Sequence, residues 1–341
     1  MQNDMLSRLS EWLTSAIGDA SIKIVKSQPS QHGLSNRNWS ILAEIGGASR
    51  SFIVRKSVPT EPFGGHTAGE EFALLQVAHE RGVTVPRPIA FCDNPNVLGN
   101  PFVLLENIDG ASSGPQVVRD LSLGSDRSRL AKRLGRELAK IHSIHPPVPR
   151  LSFLDAPTSS PATSAIERMR SIVDRLKIRR PALEWGLRWA EINSINSGRI
   201  TLVHTDFRTG NYALDARGLT AVLEWHFAEW GDPLSDLGSF CAECWRFGRN
   251  DLEAGGIGER ADFYHGYERE SETKVDDNAV RYWEVVAHLR RAVRALQMDA
   301  QHLFDRQRSL AFALNSRTLA EIELAIVRAT APIAWRTGHE F

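Results

Sequence analysis

The sequence predicts an α+β fold in two parts, an N-terminal five-stranded antiparallel sheet with one helix and a mainly helical C-terminal part carrying one small β-hairpin. Three observations lead there. Residues 21–57 hold three short apolar runs separated by turn-rich segments, and helical periodicity dominates beyond residue 110. A single stretch, residues 199–225, interrupts that helical text with two strand-like pieces and a polar loop.

The elements follow in order. "MQNDMLSRLSEWLTSAI" places Leu6, Leu9, Leu13 and Ile17 on one helical face. "SIKIVKSQ", "NWSILAEI" and "SFIVRKS" read as an antiparallel meander broken by "PSQHGLSN" and "GGAS". "TAGEEFALLQVAHERG" (67–82) has a Thr start, early acids and a Gly stop, and reads as a helix. Strands at "PIAFC" and "PFVLLENI" complete a lobe of residues 1–109, with "EPFGGHTAG" and "NPNVLGN" as loops. Residues 110–341 form the second lobe, with helices at "RSRLAKRLGRELAKIHSI", "TSAIERMRSIVDRLK" and "ALEWGLRWAEI", a hairpin at "YALDARGLTAVLEW", and helix again from about 236.

Composition narrows the function. Lys plus Arg (41) equal Asp plus Glu (41), so no overall field draws the chain to nucleic acid or an anionic membrane, and neither partner is expected. No apolar run approaches the roughly 18 residues of a membrane span. The three cysteines make no disulfide framework, and Cys241 and Cys244 are a lone C-x-x-C without a second pair for zinc, so they read as core residues of a cytoplasmic protein.

The chemistry sits in "VHTDFRTGN" and "AVLEWH". H-x-D-x4-N followed by a hairpin and a carboxylate suits phosphoryl transfer, which needs an aspartate to orient and deprotonate a hydroxyl, plus amide and carboxylate oxygens to hold Mg2+ against nucleotide phosphates. Asp206 takes the role of base, Asn211 and Glu224 those of metal ligands, and His204 braces the loop. No G-x4-G-K-[ST] loop occurs, and "GGIGERA" is too weak a fingerprint for a dinucleotide fold.

With "GDPLSDL" (231–237) after the carboxylate, these motifs resemble the aminoglycoside phosphotransferase and choline kinase-like family of the protein-kinase-like fold. The likeness is strongest to a bacterial branch related to the kinase-like domain of some acyl-CoA dehydrogenases, through "WRFG", "FYHGYERESE" and "RYWEVVAHLRRAV". It implies transfer of the γ-phosphoryl group of ATP or GTP, with Mg2+, to the hydroxyl of a small molecule that is aminoglycoside-like, choline-like, or a hydroxy acid or its acyl-CoA. It also implies that Gly33, Ser35 and Asn36 cover the phosphates, that Ile53 and Arg55 share a strand face under the base and beside the phosphates, and that Lys56 points outward as a solvated charge. Glu71, with Glu70 as runner-up, orients Arg55, and the backbone of Glu106 to Ile108 meets the base.

Three positions depart from the family pattern: Thr205 replaces a glycine, Glu224 an aspartate shorter by one C–C bond of about 1.5 Å, and His226 a frequent glutamate. They frame the competing reading, a kinase fold that binds nucleotide or ligand and has lost transfer. The acceptor's charge reads both ways. Residues 251–278 hold nine acids against three bases, as for a cationic acceptor, while Arg290, Arg291 and Arg294 suit an anion. Trp245, Phe247, Tyr264, Tyr267 and Trp283 are candidates for an apolar lining or for core.

Overall fold

The computed structural model describes residues 2–29, 38–56, 64–304, 314–315 and 317–332. Helix α1 (Gln2–Ile17) precedes strands β1 (Lys23–Pro29), β2 (Asn38–Ile45) and β3 (Ala48–Lys56). Helix α2 (Ala68–Glu80), β4 (Pro88–Cys92), the short α3 (Pro95–Leu98) and β5 (Phe102–Glu106) follow. The five strands form one antiparallel sheet in the order β1-β2-β3-β5-β4.

Strand alternation gives this sheet two different faces. Phe52, Val54, Phe102 and Leu104 pack with Leu9 and Leu13 of α1. The residues between them, Ile53, Val103 and Leu105, pack toward α2 with Leu74 and Leu75. Arg55 pairs with Val103 across β3 and β5, so it shares the face of Ile53 as the sequence predicts. Lys56 lies on the other face, but it is half-buried and its Nζ donates to the Leu98 carbonyl at 2.8 Å, so the solvated reading is corrected. That carbonyl comes from α3, which replaces the loop expected at "NPNVLGN". Asn94 Oδ1 caps it by accepting from Asn96 N–H at 3.0 Å, and Pro95 occupies its first turn, where no amide is needed.

The C-terminal part is mostly helical: α4 (Gly114–Arg119), α5 (Arg127–His142), α6 (Pro161–Leu176), α7 (Pro181–Ile192), then α8 (Leu234–Cys241), α9 (Arg260–Ser271), α10 (Asp277–Phe304) and α11 (Leu319–Thr330). Helices α5 and α9 meet through glycine. A Cβ at Gly135 would collide with the Phe263 carbonyl, and one at Gly266 with the Lys132 carbonyl.

Between α7 and α8 lie four short strands, β6 (Thr201–Val203), β7 (Tyr212–Asp215), β8 (Gly218–Val222) and β9 (Glu229–Gly231). The pair β7/β8 is the predicted hairpin. The antiparallel pair β6/β9 closes around it, so that loops 204–211 and 223–228 leave adjacent strand ends and face one cleft. Among the described residues no helix is long and apolar enough to cross a membrane.

Candidate active site

The cleft between the sheet and the helices has a volume of about 1520 Å3 and is lined by both loops, β3, α2, the 105–115 segment, α6 and α10. Single-ligand pockets measure roughly 300–1,000 Å3, so this space exceeds that of a typical single-ligand site.

Loop 204–211 is held from beneath by Asp236, in the first turn of α8. The Asp236 carboxylate accepts from the backbone N–H of His204 at 2.6 Å and of Thr205 at 2.8 Å. It also lies 3.2 Å from His142 Nε2, whose other ring nitrogen meets the Tyr267 hydroxyl at 2.9 Å. Three buried groups thus converge on one buried carboxylate.

His204 is buried with its Nε2 2.9 Å from the Leu223 carbonyl, while its Nδ1 accepts from Asp206 N–H at 3.3 Å. These partners require hydrogen on Nε2 and a lone pair on Nδ1, which is the neutral ring. Burial lowers the His204 pKa below its ordinary value, against the pull of Asp236 and Asp206. The ring therefore ties the loop to the strand end before Glu224.

Asp206 faces the cleft. Its Oδ1 accepts from Arg208 Nε at 2.7 Å and its Oδ2 from Asn211 Nδ2 at 2.7 Å. Burial works to raise its pKa, but Arg208 and Arg294 outweigh that and hold the carboxyl at about 2. Gly210, at φ +106°, turns the chain so that Asn211 points back at Asp206. Asn211 Nδ2 also donates to the Asp206 carbonyl at 2.8 Å, which leaves Asn211 Oδ1 as an acceptor. The Asn211 carbonyl accepts from Leu223 N–H at 2.8 Å, bringing the residue next to Glu224.

Glu224 has a left-handed backbone, φ +66°, and lines the cleft. Its Oε2 lies 3.3 Å from Arg55 Nη2 and 3.3 Å from His226 Nδ1. The Arg55 guanidinium, with burial opposing it, holds the Glu224 carboxyl below the ordinary range. Arg55 also reaches Glu71 Oε1, at 3.2 Å from its Nη1, and so spans two carboxylates. Burial disfavours the Arg55 cation, yet Glu71 and Glu224 more than offset this and raise its pKa.

Of the two acids at the start of α2, the structure pairs Glu71 with Arg55. Glu70 is engaged in a capping box: its Oε2 accepts from Thr67 N–H at 2.7 Å, and Thr67 Oγ1 accepts from Glu70 N–H. Just before it, His66 N–H donates to the His226 carbonyl at 2.9 Å, and His66 Nε2 lies 2.6 Å from the Ala228 carbonyl. Burial drives the His226 pKa down to about 4, so the ring is neutral at pH 7.

Ile53, Glu106, Asn107 and Ile108 line the cleft as expected. The Glu106 and Asn107 amides are spent on Arg87 and Ser51 carbonyls, while Ile108 N–H meets no backbone acceptor among the described residues. Gly33, Ser35 and Asn36 lie outside the described residues.

The acidic run faces away. None of its nine acids lines the cleft; Asp251 pairs with Arg249, Glu253 with Arg260, Asp262 with Lys132 and Glu268 with Lys274, and Asp276 caps α10. The arginines of α10 do face it. Among the candidate aromatics Trp245 and Phe247 line the cleft, Tyr267 and Trp283 are core, and Tyr264 bonds Arg260 and Asp277.

Asp236 lies in "GDPLSDL", where the sequence motif alone assigns it no role, and Arg208 is a second functional residue outside the sequence expectations. The spacing of Asp206 and Arg208, two residues apart in a tight loop, was the available signal for the second. Cys241 and Cys244 are free thiols, and among the described residues no group of three or more His, Cys, Asp or Glu is arranged to hold a metal ion.

Comparison with known proteins agrees with this fold. Acyl-CoA dehydrogenase family member 10 of Mus musculus is 26% identical over 246 residues, 68% of this chain and 22% of that protein. Human acyl-CoA dehydrogenase family member 11 is 26% identical over 201 residues, 56% of this chain and 25% of that protein. The matched region is thus about a quarter of those curated relatives' length. Among solved structures, a candidate aminoglycoside phosphotransferase from Ralstonia eutropha JMP134 superposes with TM-score 0.71 at 18% identity, covering 95% of this chain and 98% of its own. A spectinomycin phosphotransferase in complex with ADP and spectinomycin superposes at 0.63 with 14% identity, over 95% and 98%. The model of the phosphotransferase enzyme family matches residues 27–277, which takes in the end of β1, strands β2 to β5, both loops, Asp236 and α9, and the chain belongs to that family.

Proposed function

We propose that the chain transfers the γ-phosphoryl group of ATP or GTP to a hydroxyl of a small molecule. The observation that carries this reading is the placement of Asp206 and Asn211 on one turn with Glu224 beside them and Arg55 bridging Glu224 to Glu71.

The lobe of residues 1–109 binds the nucleotide: Ile53 packs against the base, Ile108 N–H and the neighbouring carbonyls bond its edge, and Arg55 faces the phosphates. Residues 110–341 supply the catalytic loop and the acceptor side. Asp206 is ionised at neutral pH and aligns the acceptor hydroxyl, taking its proton as the new oxygen–phosphorus bond forms and the bond from the γ-phosphorus to the bridging oxygen breaks, releasing the nucleoside diphosphate. A carboxylate this acidic accepts the proton late, so alignment is its larger contribution.

The residues present fit Mg2+. Asn211 Oδ1 and Glu224 Oε1 have no hydrogen-bond partner among the described residues, and a magnesium site takes one or two protein oxygens and completes its shell with phosphates and water. When bound, the ion neutralises charge on the β- and γ-phosphates. Arg55 and the neutral His226 leave Glu224 as a carboxylate for that purpose.

Asp206→Asn tests the reading. Transfer, followed by the phosphate mass shift across an acceptor panel, should fall about 10²- to 10⁴-fold, while Mg2+-dependent thermal stabilisation by ATP or GTP persists. An unchanged rate removes Asp206 from its role. Absence of nucleotide stabilisation in the parent protein would instead favour the ligand-binding reading without transfer.

A further inference from the structure

Helix α10 turns three arginines into the cleft. Arg290 Nη1 donates to the Thr205 carbonyl at 2.9 Å, one residue from Asp206. Arg291 lies 4.4 Å over the Trp245 ring, which Arg208 also covers at 4.0 Å, and Arg294 lies 4.2 Å over Phe227. Among the described residues neither Arg290 nor Arg291 is ion-paired to a carboxylate.

Holding Arg290 and Arg291 in a partly buried cleft with no carboxylate ion-paired to either among the described residues is costly. Burial, then Arg208 among its neighbours, depresses the Arg291 pKa, although Cys244 and Asp206 oppose this. Stacking on Trp245 holds the Arg291 guanidinium plane in place and leaves its N–H edge for a ligand, while Arg290 is held through the Thr205 carbonyl. The acids of residues 251–278 contribute nothing to the cleft lining, and of the lining acids other than Glu71, Glu106, Asp206 and Glu224, Glu229 is bound by Arg168 at 2.9 Å while Asp155 is exposed.

Resting on the phosphotransfer reading above, we propose that the acceptor is a hydroxyl compound bearing an anionic group, a carboxylate or phosphate, received by Arg290 and Arg291 while its hydroxyl meets Asp206. This edge of the cleft belongs to α10, whereas the nucleotide phosphates fall to Arg55 on β3.

The test uses matched probes on one carbon chain: hydroxyalkanoates, hydroxyalkyl phosphates, the neutral hydroxyamides and amino alcohols. Each is assayed for phosphate uptake and for thermal stabilisation of the Mg·ADP-loaded protein. Anionic probes should bind and accept phosphate, carboxylate against phosphate ranking the two sources of charge. Arg291→Gln should weaken them about 10- to 100-fold, the worth of a charge-assisted hydrogen bond, with Mg·ATP affinity within about twofold and partial rescue by Arg291→Lys. If anions bind through Arg291 yet take no phosphate, the anion site at Arg290 and Arg291 stands while its reading as an acceptor site is overturned together with transfer. Phosphorylation of amino alcohols or hydroxyamides in preference to anions overturns the proposal and leaves transfer intact. So does loss of Mg·ATP affinity in Arg291→Gln without an effect on the anions.

Discussion

At residue scale, Thr205 and Glu224 share an unusual backbone, with φ of +63° and +66°. A left-handed conformation costs a β-branched residue about 1–2 kcal/mol, and Thr205 persists in it because three groups hold it. Its N–H donates to Asp236, its hydroxyl to the Phe227 carbonyl at 2.9 Å, and its carbonyl accepts from Arg290. Thr205→Gly relieves the strain and loses only the hydroxyl bond, so urea denaturation should place it within about 1 kcal/mol of the parent. Thr205→Val keeps the strain and loses the bond, and should cost about 1–2 kcal/mol. Glu224 is judged by calorimetry with Mg2+ and nucleotide: Glu224→Asp retains affinity, because aspartate tolerates this backbone, whereas Glu224→Ala loses about tenfold or more. Equal affinity in all three proteins would remove Glu224 as a metal ligand.

At the scale of elements, one carboxylate on α8 organises the end of β6 and the loop beyond it. Asp236→Ala strands two buried N–H groups and a buried histidine, and should cost about 2–5 kcal/mol in denaturant titration together with a fall in transfer rate. Asp236→Asn keeps one acceptor oxygen and should lose less. Such long-range clamps explain what the sequence hid. Strands β1 to β5 were readable because each is a run of apolar residues bounded by turn residues, and α2 because Thr67 and its acids mark a helix start. β6 and β9 are three residues each, too short for periodicity, and their pairing joins positions far apart in sequence. Glu70 and Glu71 looked alike in sequence. The capping box consumed one and freed the other. The motif around Asp206 was visible, while the partner that shapes it, Asp236, was visible only as a letter in "GDPLSDL".

At the scale of the molecule, a formal charge of +0 conceals an uneven distribution. Acids occupy the outer surface of residues 251–278 in local pairs, and arginines concentrate inside the cleft. Buried histidines add a pH dependence. His288 on α10 is buried, its Nδ1 has no hydrogen-bond partner among the described residues, and burial lowers its pKa from 6.5 to about 4. The unfolded chain therefore takes up this proton first as pH falls, so stability is lost between pH 6.5 and 4. At pH 5 the loss from this one group is on the order of 2 kcal/mol. His288→Leu should shrink the stability difference between about pH 7.5 and 5 by roughly that amount in thermal or urea unfolding.

The His66 bonds to the backbone of His226 and Ala228 have a mechanical meaning. They sew the leading end of α2 to the strip of chain that follows Glu224, while Arg55 links the two carboxylates borne on those same pieces. The roof of the cleft and the acid on its floor are thus tied by the same few contacts, and separating one from the other requires breaking them.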